Sequence, residues 1–335
     1  MALAAGTGWS GREAAAITQP APAPKGRATI AAMGARRLIG AAIVLAAIVA
    51  LVLPAAGAGS PPRLVIGKGN LVAPLEIPPN PRPGAVPGCR RPRLKCVHVA
   101  VRRLRRLEAR LGCDHRAVFA TTYRVLTQVL LRTVRANPGF YRFPRYFFFE
   151  DGLFADVYIA TSNAYPRGNR VSPAWRIAFE AAAAGDLTGG QDMLLGINAH
   201  VQNDMPFVLA ALGTKTRRGV SRKADHDRAN EVLADAYQEV VDTVERRYDP
   251  SVGLTNPDGV PADDVAGLTV VRHWREDVWR NAERLIATRR NPAAHRAVVD
   301  EIEDNAATWA RNIAASRTPG YGAQRDAYCE ARIGG

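Results

Sequence analysis

The stretch LLGINAHVQNDMP, Leu194 to Pro206, sets amides, a histidine and a carboxylate inside an otherwise apolar segment of helical periodicity. On a 3.6-residue period Met193, Ile197, His200, Asp204, Phe207 and Ala211 fall along one stripe, with Asn203 at its margin. A helix normally buries that stripe. A buried donor or acceptor left unmatched costs about 1 to 3 kcal/mol, so these groups need partners from other parts of the same fold. The chain must surround this helix with others, and the polar groups form either a satisfied core or a site.

Punctuation elsewhere predicts helices throughout. Val97 to Leu111 reads as a basic amphipathic helix, and Asp114 caps a helix to Asn137, which Pro138 and Gly139 end. Pro144 opens a helix from Arg145 to about Tyr165. Ser172 and Pro173 open one stopped at Gly185, and Thr188 opens the helix described above, to Gly213. Ser221 or Asp225 starts a long helix to Tyr248, and two more run from about Asp263 to Thr288 and from Pro292 to Ala315. No alternating pattern bounded by turn residues is long enough to make a strand. The expected fold class is all-α, a single multi-helix bundle of about eight helices over residues 96–330.

Residues 1–58 read differently. Arg36 and Arg37, the apolar run Leu38 to Leu53 and Ala56-Gly57-Ala58 supply the basic start, apolar middle and A-x-A site of a secretory signal peptide, with cleavage after Ala58. Met33 stands just before the arginines as an alternative start. The run is shorter than the ~20 residues that span a bilayer, and its retention as a membrane anchor is the alternative. Residues 59–95 are rich in proline and read as an extended linker. The expected location is secreted or in the cell envelope.

Four cysteines, Cys89, Cys96, Cys113 and Cys329, favour two disulfides in an exported chain. If Val97 to Gly112 is helical, Cys96 and Cys113 stand roughly 25 Å apart, beyond the ~7 Å between Cα atoms that a disulfide allows. Of the remaining pairings, Cys89 with Cys96 and Cys113 with Cys329 is preferred. The formal charge is +14, from 45 Lys and Arg against 31 Asp and Glu. Between Arg90 and Arg110, Glu108 is the only acidic residue. Neither stacking aromatics nor a known nucleic-acid fold accompanies this patch, so no nucleic acid partner is expected. A solvated face beside an anionic cell envelope or lipid fits it better.

Three further segments set polar residues where core belongs. In RYFFFEDGLFADVY, Arg145 to Tyr158, apolar residues surround Glu150 and Asp151 on every side. That marks a buried helix, with at least one carboxylate indoors, and such a group persists only when paired, hydrogen-bonded or bound to a cation. In CDHRAVFATT, His115 lines up with Phe119, Thr122 and Leu126, beside Asp114. In DHDRANEVLADAY, His226, Asn230, Leu233 and Tyr237 share the inward stripe, with Asp225 and Asp227 as either helix-start charges or functional groups. A lone inward histidine is usually a bonded core group. Three of them on separate helices, each beside a carboxylate, have the composition of a bundle metal site. The candidate ligands for zinc or another divalent metal are His200, Asp204, His226, Glu150, Asp151, His115 and Asp114, with Asp227 the candidate catalytic base. Gly189-Gly190 reads as a turn rather than a phosphate cradle.

CDHRAVFATTY, FEDGLFADVY, PAWRIAFEAA, GINAHVQNDMP and DHDRANEVL, in that order, resemble an uncharacterised family of exported actinobacterial helical proteins, over about Cys96 to Cys329. The resemblance implies a helical exported domain and lends no activity. His200-Val201-Gln202-Asn203-Asp204 also resembles the HxxxD motif of zinc-dependent phospholipases C and P1-type nucleases. Those enzymes carry HxxxE on a later helix, but here Asn230 stands four residues after His226, with Glu231 one position late. Phe207 follows Pro206 where they carry a further histidine, and their amino-terminal tryptophan ligand is missing. That resemblance therefore implies one or two metals at most.

Two functions remain. One is an exported helical protein of unknown role whose buried polar residues lock helix register. The other is a metal-dependent hydrolase of phosphoesters or lipids, in which the metal lowers the pKa of bound water toward ~7 and Asp227 serves as base. They differ in whether the polar side chains close on one another or meet around a water-accessible cavity.

Overall fold

Helix starts and stops fall where the local chemistry dictates. In the computed structural model, Pro144 occupies the first turn of a helix, and Ser172 Oγ accepts the Trp175 N–H with Pro173 behind it. Thr188 and Gln191 form a reciprocal capping box, Asn291 Oδ1 accepts the Ala294 N–H, and Gly185 ends its helix in the left-handed region at φ 66°. The structure describes residues 77, 79–81, 86–254 and 261–333, all within the unit Ala47–Gly335. The expected signal peptide, the Leu38 to Leu53 run and most of the linker lie outside the described residues.

The elements are α1 (Lys95–Leu111), α2 (Arg116–Ala136), α3 (Pro144–Ala164), α4 (Pro173–Ala184), α5 (Gly189–Asn198), a π-helical segment (Ala199–Asp204) and α6 (Met205–Leu212). They continue with α7 (Lys223–Arg247), the single turn α8 (Ser251–Leu254), α9 (Pro261–Thr288), α10 (Pro292–Ala315) and α11 (Tyr321–Ile333). Among the described residues there is no strand, only an isolated bridge between Lys215 and Ser221. The all-α expectation holds. Helix α11 was not expected; it is short, follows Pro319-Gly320, and is fixed by tertiary links.

The rod α5–π–α6 is central, with α2, α3, α4, α9 and α10 packed on its parts. Its middle departs from the expected continuous helix for a local reason. Pro206 has no N–H for the Gln202 carbonyl, and its ring crowds that carbonyl. The helix widens one turn earlier, where the Met205 N–H reaches the His200 carbonyl, an i to i−5 bond. The extra residue turns the earlier half of the rod by about 100° against the expected register. The buried stripe of α5 therefore runs through Asp192 and Gly196 to His200, while Met193 and Ile197, expected there, are only half-buried.

The largest apolar cluster fills the space around this rod, with Phe119, Tyr158, Trp175, Leu195, Leu209 and Trp279 among its members. Each large side chain so buried contributes about 1.5 to 3 kcal/mol. Gly196 sets the closest approach of α2, since a Cβ there would lie 2.2 Å from Phe119 Cγ. Two carboxylates tie helix starts from elsewhere in the chain. Asp225 on α7 accepts the N–H groups of Arg142 and Phe143 at 2.9 and 2.7 Å, just ahead of α3. Asp249, fully buried, accepts the Gly189 N–H at the start of α5, so that N–H is not free to cradle a phosphate.

Candidate functional site

The seam between α2 and the rod stacks three contacts at helical spacing. His115 meets Asp192, Phe119 lies on Gly196, and the Tyr123 ring stands 4.8 Å from the His200 ring. At the outer end, His115 Nδ1 donates to Asp192 Oδ2 at 2.5 Å, and Asp326 of α11 stands 3.5 Å from His115 Nε2. Burial raises the Asp192 carboxyl above its usual range, opposed by the bond from His115. At the inner end, His200 stacks on Phe154 with ring centroids 3.5 Å apart, and Phe119, Tyr123, Tyr158 and Trp175 complete an aromatic cage.

Asp204 closes this end. Its Oδ2 accepts from His200 Nδ1 at 3.0 Å and from Trp175 Nε1 at 2.9 Å, while its Oδ1 accepts from Asn203 Nδ2 at 2.8 Å. Burial lowers the His200 pKa, and the bond to Asp204 only partly opposes it. The ring is thus a neutral donor to a buried carboxylate. Its Nε2, like the Tyr123 hydroxyl, is buried without a hydrogen-bonding partner.

A second network is built on His226 and Arg275, with Glu150 close to the Arg275 charge. His226 Nε2 donates to the Arg275 carbonyl at 3.0 Å, and Arg275 returns bonds to the His226 carbonyl, to Asn230 Oδ1 at 2.8 Å and to Met205 sulfur at 3.5 Å. Burial, then the charge of Arg275, pushes the His226 pKa well below its ordinary value. Glu150 is buried, and burial lifts its carboxyl to about 8, with Arg275 opposing and Asp151 adding to the rise. Burial lifts Asp151 to about 7, and its Oδ2 has no hydrogen-bonding partner.

Two predicted residues lie apart from both networks. Burial favours the neutral form of Asp114, but Arg116 outweighs it through a backbone bond of 2.8 Å and guanidinium bonds of 2.9 and 2.6 Å, holding the carboxyl below its usual range. Asp227 points outward on α7 and pairs with Lys223 at 2.8 Å. As a catalytic base it would have to reach buried groups, and its neighbour Asp225 faces inward instead, as the cap of α3.

The donor set does not fit a shared metal. Both Asp204 oxygens, both Asp114 oxygens and His226 Nε2 are already engaged within the protein, whereas His200 Nε2 and His226 Nδ1 are buried without a hydrogen-bonding partner. Among the described residues, no three His, Cys, Asp or Glu groups come together as a metal cluster. The space beside the site is a crevice of about 20 Å³, walled by His115, Arg116, Phe119, Tyr158, Trp175 and Asp192. That is room for about one water molecule.

The raised carboxyl of Glu150 has a consequence for stability. Below its ordinary value of 4.5 both folded and unfolded chains hold the proton; between there and about 8 only the unfolded chain releases it, so stability falls as pH rises through that window. Glu150→Gln removes this penalty. The variant should gain about 4 kcal/mol relative to wild type between pH 5 and pH 9, measured by urea unfolding at both values. An equal difference at the two pH values would contradict the neutral buried carboxyl.

Sequence reasoning missed Trp175, Asp192 and Arg275. Trp175 and Asp192 lay in view, in PAWRIAFEAA and eight residues before His200, but Trp175 acts from a separate helix and the π segment hid the stripe that holds Asp192. No curated protein and no solved structure matches this chain. Residues 97–316 match the family of unknown function DUF5995, and the chain belongs to that family.

Proposed function

We propose that this protein is an exported, non-catalytic helical module of the cell envelope, in which the buried polar residues lock helix register. The observation that carries this reading is the closure of His200, Trp175 and Asn203 on Asp204, with every bond between 2.8 and 3.0 Å. Such a network specifies one register, because a shifted helix would leave a charged acceptor buried without donors. The pairing of Cys89 with Cys96 and Cys113 with Cys329 supports an oxidising location. No described helix is long and apolar enough to cross a membrane.

The hydrolase alternative needs His200, Asp204, His226 and a carboxylate from Glu150 or Asp151 on one ion, and both Asp204 oxygens already accept bonds within the protein. Elemental analysis of protein purified without added metal should find no stoichiometric zinc, manganese or calcium. A tightly held ion in a one-to-one ratio, lost to chelator together with phosphoesterase or lipase activity, would overturn the reading.

A further inference from the structure

A cleft of about 740 Å³ opens at the start of α1, away from the aromatic cage. One wall is a single helix stripe, Lys95, Val99, Arg102 and Arg106. The other is the turn that carries Arg90 and Arg91. The disulfide between Cys89 and Cys96 ties this turn to the first helical turn. The Cys89 N–H closes on the Val86 carbonyl at 3.0 Å, and Val86 is buried. Gly88, at φ 81°, lets the backbone lie on the helix, where a Cβ would come 3.1 Å from Val99 Cγ1. Both walls are therefore fixed.

The charges in the cleft are largely uncompensated. Arg103 at its edge pairs with Asp156 at 2.6 Å. Arg90, Arg91, Arg93, Lys95, Arg102 and Arg106 line the cleft too, and among the described residues none of them has an ion pair and no carboxylate lines the cleft. A merely solvated basic face requires neither concavity nor a disulfide to hold one wall against the other. We propose that this cleft binds a ligand carrying clustered phosphate groups, either free in solution or displayed by lipid headgroups. Guanidinium forks match phosphate oxygens two at a time. The stripe from Lys95 to Arg106 rises about 16 Å, a span for several phosphates in a row, and the volume lies in the range of small-ligand sites. A ligand with a single carboxylate would leave most of these cations unmatched. The turn and its disulfide precede the family match at 97–316, while Val99, Arg102 and Arg106 of the helix wall lie within it.

Titration calorimetry of the disulfide-intact protein with sodium tripolyphosphate tests the free source. Co-sedimentation with phosphatidylglycerol vesicles, against phosphatidylcholine vesicles, tests the headgroup source. Binding in either arm supports the proposal when the triple change Arg91→Gln, Arg102→Gln and Arg106→Gln weakens it at least about tenfold. Cys89→Ser with Cys96→Ser, which frees the turn, should weaken it as well. Arg280→Gln with Arg284→Gln, on α9, should leave it unchanged. No binding in either arm, equal losses in the cleft and α9 variants, or equally tight binding of heparin or duplex DNA would overturn it.

Discussion

Replacing Cys113 and Cys329 together by serine should cost about 5 kcal/mol of stability, since their bond closes a loop of 216 residues and the loop-entropy estimate grows with the logarithm of that length. The bond between Cys89 and Cys96 spans a separation of 7 residues, and its removal should cost only about 2 kcal/mol on the same estimate. The native fold gives the first bond little else to do. Arg325, fully buried on α11, donates to the Cys113 carbonyl, and Tyr328 Oη donates to the Glu245 carbonyl at 3.0 Å, so α11 has other anchors. The loss should therefore arise mostly in the unfolded chain, which gains freedom. Guanidinium unfolding of the two double-serine variants, without reductant, measures both values. Equal losses, or a long-loop variant within about 1 kcal/mol of wild type, would show that α11 contributes little to the cooperative unit.

Much of the fold was legible because its punctuation is local. Pro144, Ser172 with Pro173, Thr188 with Gln191, and Asn291 with Pro292 each act within a few residues, and each marks a helix start in the structure. The π segment was not legible in the same way. Pro206 announces a conflict with the Gln202 carbonyl, but whether the helix ends, kinks or widens depends on what packs around it. Helix α11, at 13 residues, has a length at which an isolated helix is marginal in water, and its support comes from Cys113, Glu245 and Asp249, far away in sequence.

The site divides along the same line. His200 and Asp204 are four residues apart, so their bond follows from helix geometry. Trp175 reaches Asp204 from another helix, and nothing in its own segment says so. Asp225 and Asp227 are near neighbours with opposite fates, one capping α3 and the other paired with Lys223 in solvent. Helical phase separates them only when the facing element is known. Arg275 sits in the charged run RHWRED, and its guanidinium is buried against Asn230 and His226. Asn230 accepts from that guanidinium at 2.8 Å.

Thermal unfolding of wild type and His200→Ala, each with and without chelator, decides whether His200 and Asp204 are a lock or a metal pair. The substitution empties the cage of Phe119, Tyr123, Phe154, Tyr158 and Trp175 and takes a donor from a buried carboxylate. Loss of a large buried ring together with its bond should cost about 4 kcal/mol. The wild-type midpoint should be indifferent to chelator, beside a variant destabilised by the same large amount in both buffers. A wild type that loses stability in chelator, beside a variant that differs little from it there, would contradict the lock and restore the metal.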